Sequence, residues 1–384
     1  MDINRTYTSI LSLLCIALIA LITWIVYVQL WQSETLLFLE DLAAGNEESR
    51  LKNRTPTPTP ITIEYEISEL HYQADLYRPS EAPFAGIILV PGVTQHGKND
   101  SRLVAFANTL TRFRFIVLVP DIPNLRNLKV RAEDSQAIKD AFIYLVSLPD
   151  LPTQAQVGIG AFSYAIGPAV LAALDPTVRV KLDFVLSVGG YYGVEQAITF
   201  FTTGYFRYKN EWHFLEPNEY GKWVFVMGNI ERLSDPIDKA NFRIMAQRKM
   251  NDPNVTIDDL AMNLTPEAAS ILTLLQNQNP ELVPNLIISL PTAIRTDLDA
   301  INLSNKNLNQ LKARLILLHG IDDNIIPYTE SIALANAVAK DQAELFLIAG
   351  LMHVNIRPQI LNNWTMLRAI DTLLNVRKPK TKEF

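Results

Sequence analysis

A serine stands where a short apolar segment typical of a buried strand meets an apolar segment typical of a helix. Residues 160–167 read GAFSYAIG, with Ser163 at the junction. A serine in such a tight strand-to-helix turn has strained backbone angles, and its hydroxyl projects away from the sheet. The turn requires small residues two positions before and after, where Ala161 and Ala165 stand. The pattern suits a nucleophile, although alone it equally suits an ordinary packed or surface serine.

A carboxylate and a histidine follow Ser163 in an order that suits nucleophilic chemistry. Asp322 and Asp323 come just after the apolar segment 314–318, and His353 follows the last apolar segment. Because His353 is the only histidine after Asp323, the order serine, acid, histidine has one solution for the base. In this arrangement the histidine removes the serine proton, and the carboxylate holds the tautomer of the imidazole. A solvated loop carboxylate is the simpler interpretation of either aspartate taken alone.

Strand-like and helix-like segments alternate along the chain and would bring these side chains to one edge of a sheet. Continuous apolar runs such as Ala85–Val90 are typical of strands buried on both faces of a parallel sheet. The alternation predicts a doubly wound, mostly parallel α/β sheet with right-handed crossovers. The predicted strands are Ile61–Ile67, His71–Tyr77, Ala85–Val90, Phe115–Val119, Gln156–Phe162, Leu182–Val188, Arg314–Leu318 and Glu344–Ile348, and the predicted helices are Ala132–Val146, Ala165–Ala173, Thr329–Ala339 and Pro358–Leu374.

One long stretch, residues 191–312, lacks this alternation. A helical insertion of that length in an α/β domain is usually a cap over the site, and extra packing helices are the alternative. Its aromatic residues suggest an apolar substrate group, although packing of these rings against one another explains them equally well. They are Phe200, Phe201, Tyr205, Phe206, Trp212 and Phe214.

Four short motifs in these segments point to a known family. They are Pro91-Gly92 after the third strand, the turn at Ser163, the run from His319-Gly320 through Asp323 to Pro327, and Gly350 followed by His353. Taken together, the chain resembles the α/β-hydrolases of the esterase, lipase and dienelactone hydrolase group over residues 61–376, apart from the insertion.

The resemblance implies a catalytic site. Its catalytic residues would be Ser163, Asp323 and His353, with Asp322 as the reserve acid. The backbone N–H groups of Val93 and Tyr164 would form the oxyanion hole. Neither a cofactor nor a metal is implied. We therefore expect a serine hydrolase that cleaves a carboxylic ester or related acyl bond of a small-molecule or lipid-like substrate through an acyl-serine intermediate.

Other functions remain open at this point. An acyltransferase, peptidase or thioesterase would share the scaffold, since the sequence does not show what takes the acyl group. The chain also departs from the family, because Ala161 and Ala165 replace the usual glycines and Pro91 stands where histidine is common. These departures favour the other alternative, a catalytically inactive, membrane-tethered binding protein. His96 and Lys98 could contact an anionic substrate, and a solvated loop is the simpler interpretation.

The first residues are typical of a membrane anchor. Residues 6–33 carry no charge and residues 10–30 are almost wholly apolar, long enough at about 1.5 Å per residue to cross a bilayer. We expect a single-pass anchor over residues 1–33, then a juxtamembrane segment with a Thr-Pro stalk over residues 34–60, and a globular domain over residues 61–384. Arg5 mildly favours a globular domain on the extracytoplasmic side.

Composition excludes several other classes. A net charge of −6 argues against nucleic-acid binding, which needs a basic surface. The single cysteine, Cys15, cannot build a disulfide framework or a thiolate zinc site, and none of the five histidines has the His-Glu-x-x-His spacing. The oligomeric state is left open by the sequence.

Overall fold

An eight-stranded sheet forms the centre of the computed structural model, which describes residues 33–354 and 363–379. The strand order is β1-β2-β4-β3-β5-β6-β9-β10, and every neighbouring pair from β4 to β10 is parallel. Strand β2 is antiparallel to both β1 and β4. The strands are β1 Ile61–Ile67, β2 Leu70–Tyr77, β3 Ala85–Val90, β4 Phe115–Pro120, β5 Gln156–Phe162, β6 Phe184–Val188, β7 Tyr205–Tyr208, β8 Glu211–Phe214, β9 Arg314–Gly320 and β10 Ala343–Ile348.

Helices connect the strands and cover both faces of the sheet. Within the described residues they are α1 Glu34–Ala44, α2 Ser101–Arg112, α3 Pro123–Arg126, α4 Asp134–Ser147, α5 Ile166–Leu174, α6 Pro176–Arg179, α7 Val194–Thr203, α8 Tyr220–Asn229, α9 Pro236–Asn251, α10 Asp258–Ala261, α11 Pro266–Gln276, α12 Val283–Ile288, α13 Thr292–Ile301, α14 Thr329–Asn336 and α15 Trp364–Asn375. The prediction of a mostly parallel α/β sheet is confirmed.

Alternation along the parallel strands divides the interior into two apolar layers. In β3, Ile87 and Leu89 pack with helices α1, α2 and α15, whereas Ile88 and Val90 pack with α4 and α5. Because every residue of β3 is buried, the strand is apolar without a break. Because the inner strands are buried on both faces, their predicted bounds lie close to the observed ones.

The insertion between β6 and β9 is mainly helical, as expected, and contains helices α7 to α13. It also holds a short antiparallel hairpin of β7 and β8, which the sequence analysis did not predict. Each of these two strands is four residues long. They are too short to show a clear alternation of apolar and polar residues.

Helix α1 packs on the globular part of the protein. Phe38 and Leu39 are fully buried in the layer that contains α2 and α15. The buried carboxylate of Asp41 accepts hydrogen bonds from the hydroxyls of Ser49 and Thr109, the latter at 2.7 Å. The sequence analysis separated residues 34–60 from a domain beginning at Ile61. The structure corrects that boundary for α1, because its apolar side chains are part of the buried core.

The predicted membrane anchor lies almost entirely in residues 1–32, outside the described residues. Among the helices that the structure describes, none combines the length and the apolar character needed to span a bilayer. The Thr-Pro segment, residues 55–60, has no regular secondary structure and is mostly exposed.

Candidate active site

Ser163 lies in the tight turn between β5 and α5. Strand β5 ends at Phe162, a 3-10 turn covers residues 163–165, and α5 begins at Ile166. Ser163 has a φ of 57°, in the left-handed region that non-glycine residues rarely adopt. Ala161 and Ala165 beside it are fully buried. The backbone strain expected for a serine in this kind of turn is therefore present, with alanine supplying the small residues.

Asp323 and His353 form a hydrogen-bonded pair at the ends of β9 and β10. His353 Nδ1 lies 2.7 Å from Asp323 Oδ2, and the carboxylate is fully buried. Its other oxygen accepts hydrogen bonds from the backbone N–H groups of Ile325 and Ile326, at 2.8 and 3.0 Å. Burial opposes ionisation of Asp323, but the charge of His353 and hydrogen bonds from His319 and His353 hold its pKa well below the ordinary value. The acid is thus ionised and able to orient the imidazole.

Asp322, the reserve acid, points elsewhere. Its Oδ2 accepts a hydrogen bond of 2.8 Å from the N–H of Gly350, three residues before His353. Asp322 therefore ties the loop after β9 to the loop that carries His353, and Asp323 is the carboxylate that reaches the imidazole.

Two glycines that the sequence analysis gave no role allow the acid and histidine loops to approach each other. A Cβ atom on Gly320 would lie 1.7 Å from the carbonyl oxygen of Leu351, so only glycine fits there. Gly189, just after β6, has a φ of 62°, and a Cβ on it would lie 3.2 Å from His353 Nδ1 and 3.3 Å from Asp323 Oδ2. For Gly189, the signal in the sequence was the pair Gly189-Gly190 at the end of a predicted strand.

His319 makes a second contact with the acid, which sequence analysis also missed. It is fully buried, and its Nε2 lies 2.9 Å from the carbonyl oxygen of Ile326 and 3.3 Å from Asp323 Oδ2. Both neighbours only accept hydrogen bonds, so we place the ring proton on Nε2. Nδ1 then accepts from the hydroxyl of Ser331, 2.6 Å away. His319 thereby helps to hold Asp323 against His353.

Ser163 and His353 line one cavity of about 590 Å³, together with Gly92, Val93 and Tyr164. A Cβ atom on Gly92 would lie 3.9 Å from Ser163 Cβ, so the loop after β3 runs alongside the serine. Within residues 33–354 and 363–379, Ser163 and His353 form no direct hydrogen bond. Catalytic hydrogen bonds in empty sites often close only when substrate binds.

The two predicted oxyanion donors border the same cavity. In the described part of the chain, the Val93 N–H has no hydrogen-bond acceptor. Tyr164 is in the first turn at the N-terminal side of α5, where backbone N–H groups have no intrahelical acceptor. Both N–H groups are therefore available to a substrate oxygen.

Several other residues considered from the sequence lie away from this cavity. The ammonium of Lys98 lies 2.7 Å from both carboxylate oxygens of Asp75, and His96 does not line the cavity. The insertion aromatics pack mostly with one another, as in the pairs Phe200–Phe206 and Tyr205–Phe214. Tyr220 and Val224 are the two insertion residues among the described lining. The described residues contain no cluster of three or more metal-ligating side chains.

Three observations decide the fold. The sheet is doubly wound and parallel from β4 to β10, a strained serine turn follows β5, and an acid and a histidine follow β9 and β10. The chain has the α/β-hydrolase fold. The resemblance inferred from the sequence motifs is thus confirmed at the level of the fold.

Solved structures with this architecture are similar to the chain only at low identity. Acylaminoacyl peptidase from Pyrococcus horikoshii has a TM-score of 0.47 at 12% identity, covering 86% of this chain and 44% of that one. Dienelactone hydrolase from Anabaena variabilis has a TM-score of 0.44 at 14% identity, covering 82% and 96%. Est1E from Butyrivibrio proteoclasticus has a TM-score of 0.44 at 12% identity, and the match covers 82% of this chain and 98% of that one. The chain thus spans less than half the length of the peptidase. No family model and no curated protein matches the sequence.

Proposed function

We propose that the protein is a serine hydrolase that cleaves a carboxylic ester or a related acyl bond through an acyl-Ser163 intermediate. One observation carries the proposal: Ser163, in a strained turn, borders the same cavity as an imidazole whose Nδ1 is held by a buried, ionised carboxylate. An unactivated serine hydroxyl is a poor nucleophile, and this pairing is what activates it.

The reaction has two halves. In the first, His353 Nε2 takes the proton of Ser163 as the hydroxyl oxygen attacks the substrate carbonyl. The tetrahedral intermediate collapses, the imidazolium gives its proton to the departing alcohol, and the acyl group stays on Ser163. In the second half, His353 removes a proton from water as the water oxygen attacks the acyl-serine. The second tetrahedral intermediate collapses, the imidazolium returns the proton to Ser163 Oγ, and the acid is released. Asp323 stabilises the imidazolium in both halves without taking its proton.

The oxyanion that forms in each half requires donors that are already in place. We assign this role to the backbone N–H groups of Val93 and Tyr164, which border the same cavity as Ser163. Loss of one such donor typically raises the barrier by about 3 kcal/mol. The oxyanion would also lie at the N-terminal side of α5, where the helix dipole favours negative charge.

The proposal is tested by covalent labelling of the full chain with a fluorophosphonate. We expect labelling that disappears in Ser163→Ala and persists in the matched variant Ser147→Ala, since Ser147 is an exposed serine at the end of α4. Undiminished labelling of Ser163→Ala would move the nucleophile elsewhere. Absence of labelling in the native protein would favour the inactive binding protein. Hydrolysis of p-nitrophenyl esters with and without added alcohol or amine then separates a hydrolase from an acyltransferase.

We further propose that residues 1–33 anchor the protein in a membrane as a single span, with the globular domain on the extracytoplasmic side. The support is the uncharged, apolar composition of this segment together with Arg5 on its short flank. No nucleic acid is expected as a partner, because the net charge is negative.

A further inference from the structure

The cavity that contains Ser163 continues into the layer between the sheet and helices α2 and α15. Leu186 of β6 and Leu318 of β9 line it from the sheet, and both belong to the buried cluster that includes α1, α2 and α15. Helix α15 contributes four residues to the lining, Met366, Ala369, Ile370 and Leu373. This part of the cavity therefore lies on the face of the sheet away from α4 and α5.

The four residues of α15 show that the cavity is elongated. Their spacing of three, four and seven residues from Met366 places them on one face of the helix. At a rise of about 1.5 Å per residue, they cover roughly 10 Å along the helix axis. Leu42 and Gly45, at the C-terminal end of α1, also line the cavity.

Several of the polar groups that line the cavity lie together, and Asn46 beside Gly45 is a further one. Those that lie together include Thr94 in the loop after β3, Asp100 and Arg102 at the start of α2, and Tyr220 in the insertion. The side chain of Arg102 is 52% exposed, so this part faces solvent.

The lining residues from the sheet and from α15 are apolar. Leu186, Leu318 and the four residues of α15 are buried, and Phe162 and Val188 are half-buried. A polar ligand group placed against them would lose its hydrogen bonds to water without replacement.

We propose that the apolar part of this cavity binds one unbranched aliphatic chain of the ester substrate, lying between the sheet and helices α1, α2 and α15. The inference rests on the proposed function for the position of the scissile bond at Ser163. A volume of about 590 Å³ is in the range of small-molecule sites, and it leaves room beyond an acetyl group. The elongated shape along one helix face fits a linear chain. This assigns α1 a part in the substrate site.

The aliphatic site predicts how kcat/KM changes as the chain of the substrate becomes longer. Each methylene moved from water into the cavity is worth about 0.8 kcal/mol, which corresponds to roughly a fourfold rise in kcat/KM. The rise should continue until the cavity is filled and then stop. A site that holds only the reacting groups would show no such progression.

Two ester series measured on the full chain distinguish the two sources of the aliphatic chain. One series varies the acyl group of p-nitrophenyl esters from acetate to palmitate, and the other varies the alcohol of acetate esters from methanol to long 1-alkanols. The protein is kept in digitonin, a detergent without an alkyl chain that could fill the cavity. A progression in the first series assigns the cavity to the acyl chain, and a progression in the second assigns it to the alcohol.

Substitutions that replace alanines by larger residues test the location of the aliphatic site. Ala105 of α2 lines the cavity, whereas Ala137 of α4 is a helical alanine of similar exposure on the other face of the sheet. We expect Ala105→Phe to lower the ratio of kcat/KM for the best long ester to that for the acetate by tenfold or more. Ala137→Phe should leave this ratio as it is. Ala369→Leu is the second blocking variant, from the α15 side of the cavity.

Calorimetry of dodecanoate binding to Ser163→Ala tests the aliphatic site separately from the proposed hydrolase function. Ester hydrolysis without any dependence on chain length, and no binding of dodecanoate, would overturn the aliphatic site and leave the hydrolase standing. Binding of dodecanoate that Ala105→Phe abolishes, with no hydrolysis of any ester by the native protein, would keep the site and overturn the hydrolase. Neither binding nor hydrolysis would overturn both.

Discussion

At the scale of single residues, the structure separates two adjacent aspartates that the sequence left as first choice and reserve. Asp323 is fully buried and reaches His353, whereas Asp322 binds the backbone N–H of Gly350. Substitution of these neighbours by asparagine gives a matched pair of variants. The change has the same size in both, but it removes a charge from different contacts.

We expect Asp323→Asn to lower kcat for p-nitrophenyl ester hydrolysis by about 10³- to 10⁴-fold, because the amide no longer holds the required tautomer or stabilises the imidazolium. Asp322→Asn should cost less than about tenfold, since the amide oxygen can still accept from Gly350. Initial rates of hydrolysis check both values. A loss in Asp322→Asn that equals the loss in Asp323→Asn would contradict the assignment of the acid.

The site residues that the sequence predicted stand in short motifs, whereas the role of those it missed depends on tertiary contacts. Ser163, Asp323 and His353 were predicted because each stands in a short motif at the end of a predicted strand. Gly189 acts through its closeness to Asp323 and His353, which lie far along the chain. His319 acts through the 3.3 Å approach of its Nε2 to Asp323 Oδ2, four residues later, which depends on the conformation of the loop after β9. The short motifs that contain them, Gly189-Gly190 and His319-Gly320, do not show which side chains they contact.

At the scale of elements, Glu330 joins helix α14 to the start of α7. Its carboxylate accepts hydrogen bonds from the backbone N–H groups of Tyr192 and Gly193, at 3.0 and 2.7 Å. Burial raises the pKa of Glu330 to about 7, although these two hydrogen bonds favour the ionised form. The helix that follows the acid loop and the first helix of the insertion therefore meet at a titratable group.

The raised pKa of Glu330 predicts how stability changes with pH. The folded state holds the proton more tightly than the unfolded state, so the stabilising contribution is complete below the unfolded pKa, near 4.5, and is lost as the pH rises through about 7. The loss is at most on the order of 3 kcal/mol. Glu330→Gln removes this titration, and its oxygen can still accept from both N–H groups.

Thermal unfolding at pH 5 and pH 8 measures this effect. We expect the melting temperature to fall more from pH 5 to pH 8 in the native protein than in Glu330→Gln. Glu195→Gln, at an exposed position of α7, serves as the control and should behave like the native protein. Asp323 contributes stability in the opposite sense, but it is present in all three proteins and cancels. Equal pH dependence in the native protein and Glu330→Gln would refute the prediction.

The elements themselves were largely predictable where burial is two-sided. Strands β3 and β5 have the bounds expected from the sequence, because a strand covered on both faces is apolar over most of its length. Helix α2 and the hairpin of β7 and β8 were not predicted. The hairpin strands have four residues each, too few to show a clear alternation of apolar and polar side chains.

At the scale of the whole molecule, the N-terminal region connects two proposals. Helix α1 follows the predicted anchor directly, packs on α2 and α15, and contributes Leu42 to the cavity of Ser163. An ion pair between Glu34 and Arg377 also joins the start of α1 to the segment after α15. If residues 1–33 span a membrane, the aliphatic site lies in the part of the domain attached to that span.

The membrane anchor predicts how the full chain fractionates. We expect the protein to remain in the membrane pellet after alkaline carbonate and to be released by detergent, because about 20 apolar residues partition strongly into hydrocarbon. Replacing Leu18 and Ile19 by arginine should shift it to the soluble fraction, since each charge at the centre of a span costs about 3 kcal/mol. Leu282→Arg, at an exposed position of the globular part, is the control. Release of the native protein by carbonate alone would contradict the anchor.

The sequence by itself determined the alternation of strands and helices, the fold they imply, and the order of a serine, an acid and a histidine at strand ends. These properties are local, because periodicity and turn motifs involve residues that are neighbours along the chain. Only the tertiary structure decided that Asp323 rather than Asp322 meets His353, and that the insertion aromatics pack mostly with one another. It also decided that the cavity beyond Ser163 is lined by α1, α2, α15 and the sheet. Those properties depend on how closely elements far apart in sequence pack together, which no local pattern records.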